Sequence, residues 1–233
     1  MSKVLLLGQP RTGTSYITQL FKSYHEQKGR DTSGMYSKKY YNVFKEKLKL
    51  LSEINDVEKT QYHLDFLKSS DVDIFAKDHL THYGLSYGVD FDPIDCYRDF
   101  YKIKIIRKDI IETSLSMLIA KNSKMYNTWK VAHGNSLVPR SLPNKFIATR
   151  EDVEHNLKTI QKYSDMILNY TDMDFDQTIY YEDLSGDPNK DQMLFPMLAQ
   201  SPVKNLTVKI VKRGNYSDSI ENYEQVLEWI NHK

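Results

Sequence analysis

The densest set of side chains able to do chemistry lies near the start of the chain, in Gly8-Gln9-Pro10-Arg11-Thr12-Gly13-Thr14-Ser15. Two glycines let backbone N–H groups wrap a concave loop, the hydroxyls of Thr12, Thr14 and Ser15 add donors, and Arg11 adds a cation. That combination suits an anion, above all a phosphate. The spacing fits the nucleoside-triphosphate loop G-x-x-x-x-G-K-[ST], except that Thr14 stands where the lysine belongs and the cation sits inside the loop. Without a lysine reaching the β- and γ-phosphates, an ordinary kinase or ATPase is disfavoured. A loop cradling a 5′-phosphate, with an arginine beside the transferring group, keeps its logic.

Three further groups carry charge or acid–base capacity. In Phe75-Ala76-Lys77-Asp78-His79-Leu80, the period of two in an extended chain brings Lys77 and His79 to one side. A histidine with an ordinary pKa of about 6.5 is largely neutral near pH 7 and able to take a proton. In Ile103 to Ser116, IKIIRKDIIETSLS, Arg107 ends an apolar run where a charge can emerge. At about 100° per residue, Ser114 falls among Ile111, Leu115 and Leu118, whereas Ser116 lies on the opposite side near Glu112 and Thr113, which favours Ser116 as the ligand-facing hydroxyl. Near the end, Lys212-Arg213-Gly214 makes a basic turn.

These groups need elements to hold them. The apolar run before the loop predicts a strand at 3–7, followed by a helix at about 14–27 and a polar, Lys/Tyr-rich helical region to about 69. Further strands are expected at 72–77, 101–107, 177–181 and near 206–211, with helices after Arg107, near 151–170 and near 219–231. Strands alternating with helices predict an α/β fold with a central parallel sheet flanked by helices, whose ligands sit at the carboxyl ends of the strands.

Composition bounds the rest. With 233 residues, 40% of them hydrophobic and 27% charged, the chain is of a size for one folded domain over 1–233, with no repeat or linker to divide it. The net charge of +1 gives no bulk attraction for nucleic acid or an anionic membrane, so any anion site must be local. A single cysteine, Cys96, and no Cys/His spacing of the zinc type direct attention away from disulfides, metal and redox chemistry. The short run Val4 to Leu7 is too brief for a span or signal core, and the expected compartment is the cytoplasm.

Taken together, these segments resemble the sulfotransferases that use 3′-phosphoadenosine 5′-phosphosulfate. Pro10 to Ser15, PRTGTS, matches that family's P-[KR]-[ST]-G-[ST]-[ST] loop at every position. The resemblance implies a P-loop NTPase-like fold in which Arg11, Thr12, Gly13, Thr14 and Ser15 hold the 5′-phosphosulfate. Arg107 and a following serine would grip the 3′-phosphate; the family's usual spacing of about eight residues falls between Ser114 and Ser116, and a trehalose-type bacterial branch aligns with Ser116. Phe75 to Leu80 is similar to the K-T-H-L segment, with Asp78 in place of threonine, and implies Lys77 at the transferring sulfuryl and His79 as base. Glu26, Asp31 and His82 remain alternative bases, since some bacterial branches use a carboxylate after the first helix. Tyr180 to Leu184 resembles the Y-E-D-[LM] strand end and implies Tyr181 near the adenine. Lys212, Arg213 and Gly214 resemble the R-K-G element over the 3′-phosphate, in reversed basic order and without the usual G-D-W.

The expected reaction moves a sulfuryl group to a hydroxyl or amine of a small-molecule or carbohydrate acceptor, releasing adenosine 3′,5′-bisphosphate, with no metal, nucleic acid or membrane partner. Residues 28–70 and 120–150, which contain Tyr36, Tyr40, Tyr41, Tyr126 and Trp129, match no family element and are expected to shape the acceptor pocket. Two rival readings are a nucleotide kinase with an altered loop and a noncatalytic nucleotide-binding module.

Overall fold

Four consecutive apolar residues, Val4 to Leu7, are buried on both sides, the pattern of a strand inside a parallel sheet rather than at its edge. The computed structural model describes residues 3–30, 75–78, 97–122, 145–169, 173–208 and 215–231. In it this strand, β1 (Lys3–Gly8), lies between β2 (Phe75–Asp78) and β3 (Phe100–Ile106), and β4 (Gln177–Tyr180) flanks β3. All three pairings are parallel, giving an α/β fold with sheet order β2-β1-β3-β4.

The chain divides into two compact units, Met1–Ile106 with Ile167–Val208, and Arg107–Met166 with Lys209–Lys233. In the first, helix α1 (Thr14–Gln27) buries Ile17, Leu20, Phe21 and Tyr24, a spacing of three and four that puts one apolar stripe on the sheet. That stripe packs with Val4, Leu6, Phe75, Ile103, Ile105 and Ile179, and with Phe195, Leu198 and Leu206 from later in the chain. Phe21 is the hinge of this cluster, tilted against Phe75 at 4.8 Å and edge-on to Phe195 at 5.0 Å. Alternation along the strands sends Leu7 and Ile106 to the opposite face, where they meet Ile167, Phe175 and Tyr180.

The second unit contains helix α2 (Ile110–Asn122) and most of α3 (Arg150–Leu168). Thr149 caps α3: its hydroxyl accepts from Asp152 N at 3.1 Å and donates to the Asp152 carboxylate at 2.8 Å. Two very short helices, α4 (Pro188–Asp191) and α5 (Pro196–Ala199), belong to the first unit, and α6 (Tyr223–Asn231) closes the second. Leu115, Leu118 and Ile119 of α2 pack with Val153, Ile220, Val226 and Ile230. Asn222 pins this core by bonding both backbone groups of Ala148 at 2.9 Å.

Several expected elements end differently. The strand expected at 177–181 stops at Tyr180, because Tyr181–Asp183 turns into a 3₁₀ helix. Of the strand expected at 206–211, residues 206–208 are described and carry no regular structure, with Leu206 drawn into the core instead. The helix expected at 219–231 starts only at Tyr223; before it, Tyr216–Asp218 forms a 3₁₀ turn and Ile220 bridges to Phe146. The helical region expected up to residue 69 falls, beyond Arg30, outside the described residues.

Candidate functional site

The sheet order places the site. From β1 the chain goes to β2 on one side and then to β3 on the other, so the order reverses around β1. At such a switch point the connections leaving the carboxyl ends diverge and open a crevice where ligands bind in α/β sheets. The loop Gly8 to Gly13 leaves β1 there, and adjacent β3 ends at Ile106, the residue before Arg107.

The loop's shape follows from its sequence. A Cβ on Gly8 would meet Ile105 Cγ2 at 2.5 Å and Thr14 Cγ2 at 2.8 Å, so the backbone passes where only glycine fits. Gly13, at φ +82, is the N-cap of α1, and its carbonyl accepts from the amides of Tyr16 at 2.9 Å and Ile17 at 3.1 Å. Arg11 also lies in the left-handed region, at φ +73, whereas Thr12 between them does not. Alternating backbone hands of this kind turn successive N–H groups toward one concave side, the geometry of an anion nest. It is set against the positive end of a 14-residue helix.

The hydroxyls divide their work. Thr12 is fully buried and donates to the Gln9 carbonyl at 2.7 Å, which closes the loop on itself. Thr14 is buried in the first turn of α1, and Ser15 is exposed. Arg11 is half-buried. Lys77 occupies the third position of β2, in register with Leu6. His79, Asp31, His82, Lys212, Arg213 and Gly214 lie outside the described residues. Glu26 sits in the last turn of α1, paired with Lys22 at 3.7 Å. The twelve-residue step from Thr14 puts it about 18 Å along the helix axis, out of reach of a group held at the loop.

Tyr181 is brought to the loop itself. Its ring stands over Gly13 so closely that a Cβ there would come within 2.7 Å of Cδ2 and 2.9 Å of Cε2. The segment carrying it is tied down by Asp191, a buried carboxylate that four donors satisfy. Tyr16 donates its hydroxyl at 2.5 Å, Ser185 gives its amide at 2.8 Å and its hydroxyl at 2.7 Å, and Gly186 gives its amide at 2.9 Å. Burial, and then the hydrogen bond to Asp191, push the Tyr16 phenol well above its ordinary range. Helix α1 and the turn after β4 are thereby locked together beside the loop.

In the second unit, Arg107 is buried and pairs with Glu112, whose amide bonds the Asp109 side chain at 2.7 Å. Asp109 also takes the Thr113 hydroxyl on its carbonyl at 2.6 Å, so the first turn of α2 is firmly capped. Ser114 and Ser116 are both buried, at 3% and 4% exposure, so burial does not distinguish them. The reason is that α2 buries every residue from Thr113 to Ala120 and has no polar face for Ser116 to mark.

Two features escaped sequence reasoning altogether. Gln9 is 3% exposed, and its Nε2 and Oε1 find no hydrogen-bond partner among the described residues. The Asp191 hub joins groups 175 positions apart, and no local pattern announces it. Among the described residues, no group of His, Cys, Asp and Glu is arranged to hold a metal ion, and no helix is long and apolar enough to cross a membrane. No family model, curated protein or solved structure matches the chain.

Proposed function

We propose that the protein is a sulfotransferase with a P-loop NTPase-like fold, taking a sulfuryl group from 3′-phosphoadenosine 5′-phosphosulfate. The observation that carries the reading is the shape of Pro10 to Ser15. It forms a nest between a central parallel strand and a 14-residue helix at the sheet's switch point, with an arginine in the loop and a threonine where a triphosphate enzyme keeps lysine. In this reading Arg11 and the amides of the loop take the 5′-phosphosulfate, while Arg107 and Ser116 take the 3′-phosphate. Thr12 works by fixing the loop. Tyr181 would act by stacking beside the loop, and Lys212, Arg213 and Gly214 by adding positive charge at the 3′-phosphate.

The chemistry is an in-line displacement. An acceptor oxygen or nitrogen forms a bond to sulfur as the bond from sulfur to the 5′-phosphate oxygen breaks, and adenosine 3′,5′-bisphosphate leaves with the electron pair. His79 receives the acceptor's proton, and Lys77 and Arg11 balance charge on the transferring and leaving oxygens. Catalysis of this type is positioning plus electrostatic stabilisation. The acceptor class is a small molecule or carbohydrate bearing a hydroxyl or amine.

Calorimetric titration tests the reading. Adenosine 3′,5′-bisphosphate should bind without added metal and bind more weakly to Arg107→Ala. Binding of ATP with Mg²⁺ in preference to the bisphosphate would overturn the proposal in favour of a kinase.

A further inference from the structure

The ion pair between Arg107 and Glu112, within the second unit, carries a second inference, which rests on reading Arg107 as the 3′-phosphate ligand. Its guanidinium is almost entirely withdrawn from solvent, with 6% side-chain exposure, yet the carboxylate it holds belongs to a side chain that is 51% exposed. A buried cation and a solvent-facing anion are unequal partners. The glutamate can return to water, but only in exchange for another anion, because its departure alone would leave the buried arginine without a counter-charge.

The spacing also marks the contact as separable. Arg107 precedes α2, and its partner five positions on lies in that helix's first turn. The turn is held without the ion pair, by Asp109 accepting from the Glu112 amide at 2.7 Å and the Thr113 hydroxyl at 2.6 Å, and by Tyr216 donating to the Glu112 carbonyl at 3.3 Å. Backbone and carboxylate therefore answer to different forces.

The geometry points to Glu112 as an exchangeable counter-ion: it holds Nη2 of Arg107 and yields it to the 3′-phosphate when a nucleotide arrives. A dianionic phosphate offers more charge and more acceptor oxygens to the same fork, and charge-assisted bonds of that kind outcompete a single exposed carboxylate. Glu112 is thus a specificity-determining residue. It keeps the buried arginine from accepting weak anions and makes the strength of binding depend on a 3′-phosphate.

The test compares wild type with Glu112→Gln and Glu112→Asp, titrating adenosine 3′,5′-bisphosphate and, separately, 5′-AMP. Glutamine removes the charge, and aspartate draws the carboxylate back from the fork. Both variants should bind the bisphosphate roughly three- to tenfold more tightly, with 5′-AMP unchanged. Bisphosphate binding by wild type, with either folded variant binding it no more tightly than wild type, overturns the counter-ion role and leaves the sulfotransferase reading standing. Equal tightening of both nucleotides also overturns it, because the effect would not be read through the 3′-phosphate. Absence of bisphosphate binding in all three proteins overturns both readings.

Discussion

Replacing Gly13 with alanine probes the loop at its most constrained point. Two separate penalties can be worked out. The first is backbone: at φ +82 an L-residue is disfavoured by about 1–2 kcal/mol, partly offset by about 0.4–1 kcal/mol because alanine is less free than glycine when unfolded. The second is steric: the new Cβ would lie 2.7 Å and 2.9 Å from two carbons of the Tyr181 ring, which must retreat by about 1 Å to regain ordinary carbon–carbon contact. Overpacking of that kind costs about 1–3 kcal/mol. Gly13→Ala should therefore lower stability by about 2–4 kcal/mol and still fold, given a typical total of about 5–15 kcal/mol. Tyr181→Ala removes only the second penalty. Urea denaturation of wild type, both single variants and the double variant should show the alanine at position 13 costing about 1 kcal/mol once the ring is gone. An identical cost in both backgrounds would refute the placement of Tyr181 over the loop, and a neutral Gly13→Ala would refute the left-handed backbone.

Other perturbations separate binding from folding. Arg11→Ala and Arg11→Gly should both abolish most donor binding, but glycine suits φ +73, so Arg11→Gly should be the more stable of the two by about 1 kcal/mol; the reverse order in urea melts would contradict the loop geometry. Gln9→Met removes a buried amide without partners among the described residues and should raise stability by about 1–3 kcal/mol in thermal unfolding, whereas a loss would show that the amide is hydrogen-bonded. Because the Tyr16 phenol is held above its ordinary range when folded, its contribution is fully present below the unfolded value of about 10 and is lost as pH rises beyond that. Urea midpoints between pH 9 and 11.5 should fall more steeply for wild type than for Tyr16→Phe, and parallel slopes would count against the Asp191 bond.

The loop, β1, α1 and β3 were legible because each is announced locally. Val4 to Leu7 is apolar on both faces, Gly13 marks a helix start, and the i, i+3, i+4 spacing of α1 runs from Ile17 to Tyr24. What was hidden depends on contacts between distant segments. Tyr181 looked like a strand residue because YY continues a β-rich run, but the 3₁₀ turn that begins there redirects its ring onto Gly13. Ser116 can be singled out by a helical wheel only on an amphipathic helix, whereas α2 is buried around its whole circumference from Thr113 to Ala120. The Arg107–Glu112 pair has a separation of five across a helix start, which no helical period selects. Leu206 obeys core packing rather than strand propensity, so the run near it is not a strand among the described residues.

The two phosphate sites are tested together by a ³¹P NMR titration of wild type, Arg11→Ala and Arg107→Ala with adenosine 3′,5′-bisphosphate in the absence of Mg²⁺. Both phosphorus resonances should shift on wild type, Arg107→Ala should lose chiefly the 3′-phosphate shift, and Arg11→Ala should lose chiefly the 5′-phosphate shift. Unshifted resonances on wild type, or shifts indifferent to both substitutions, would contradict it.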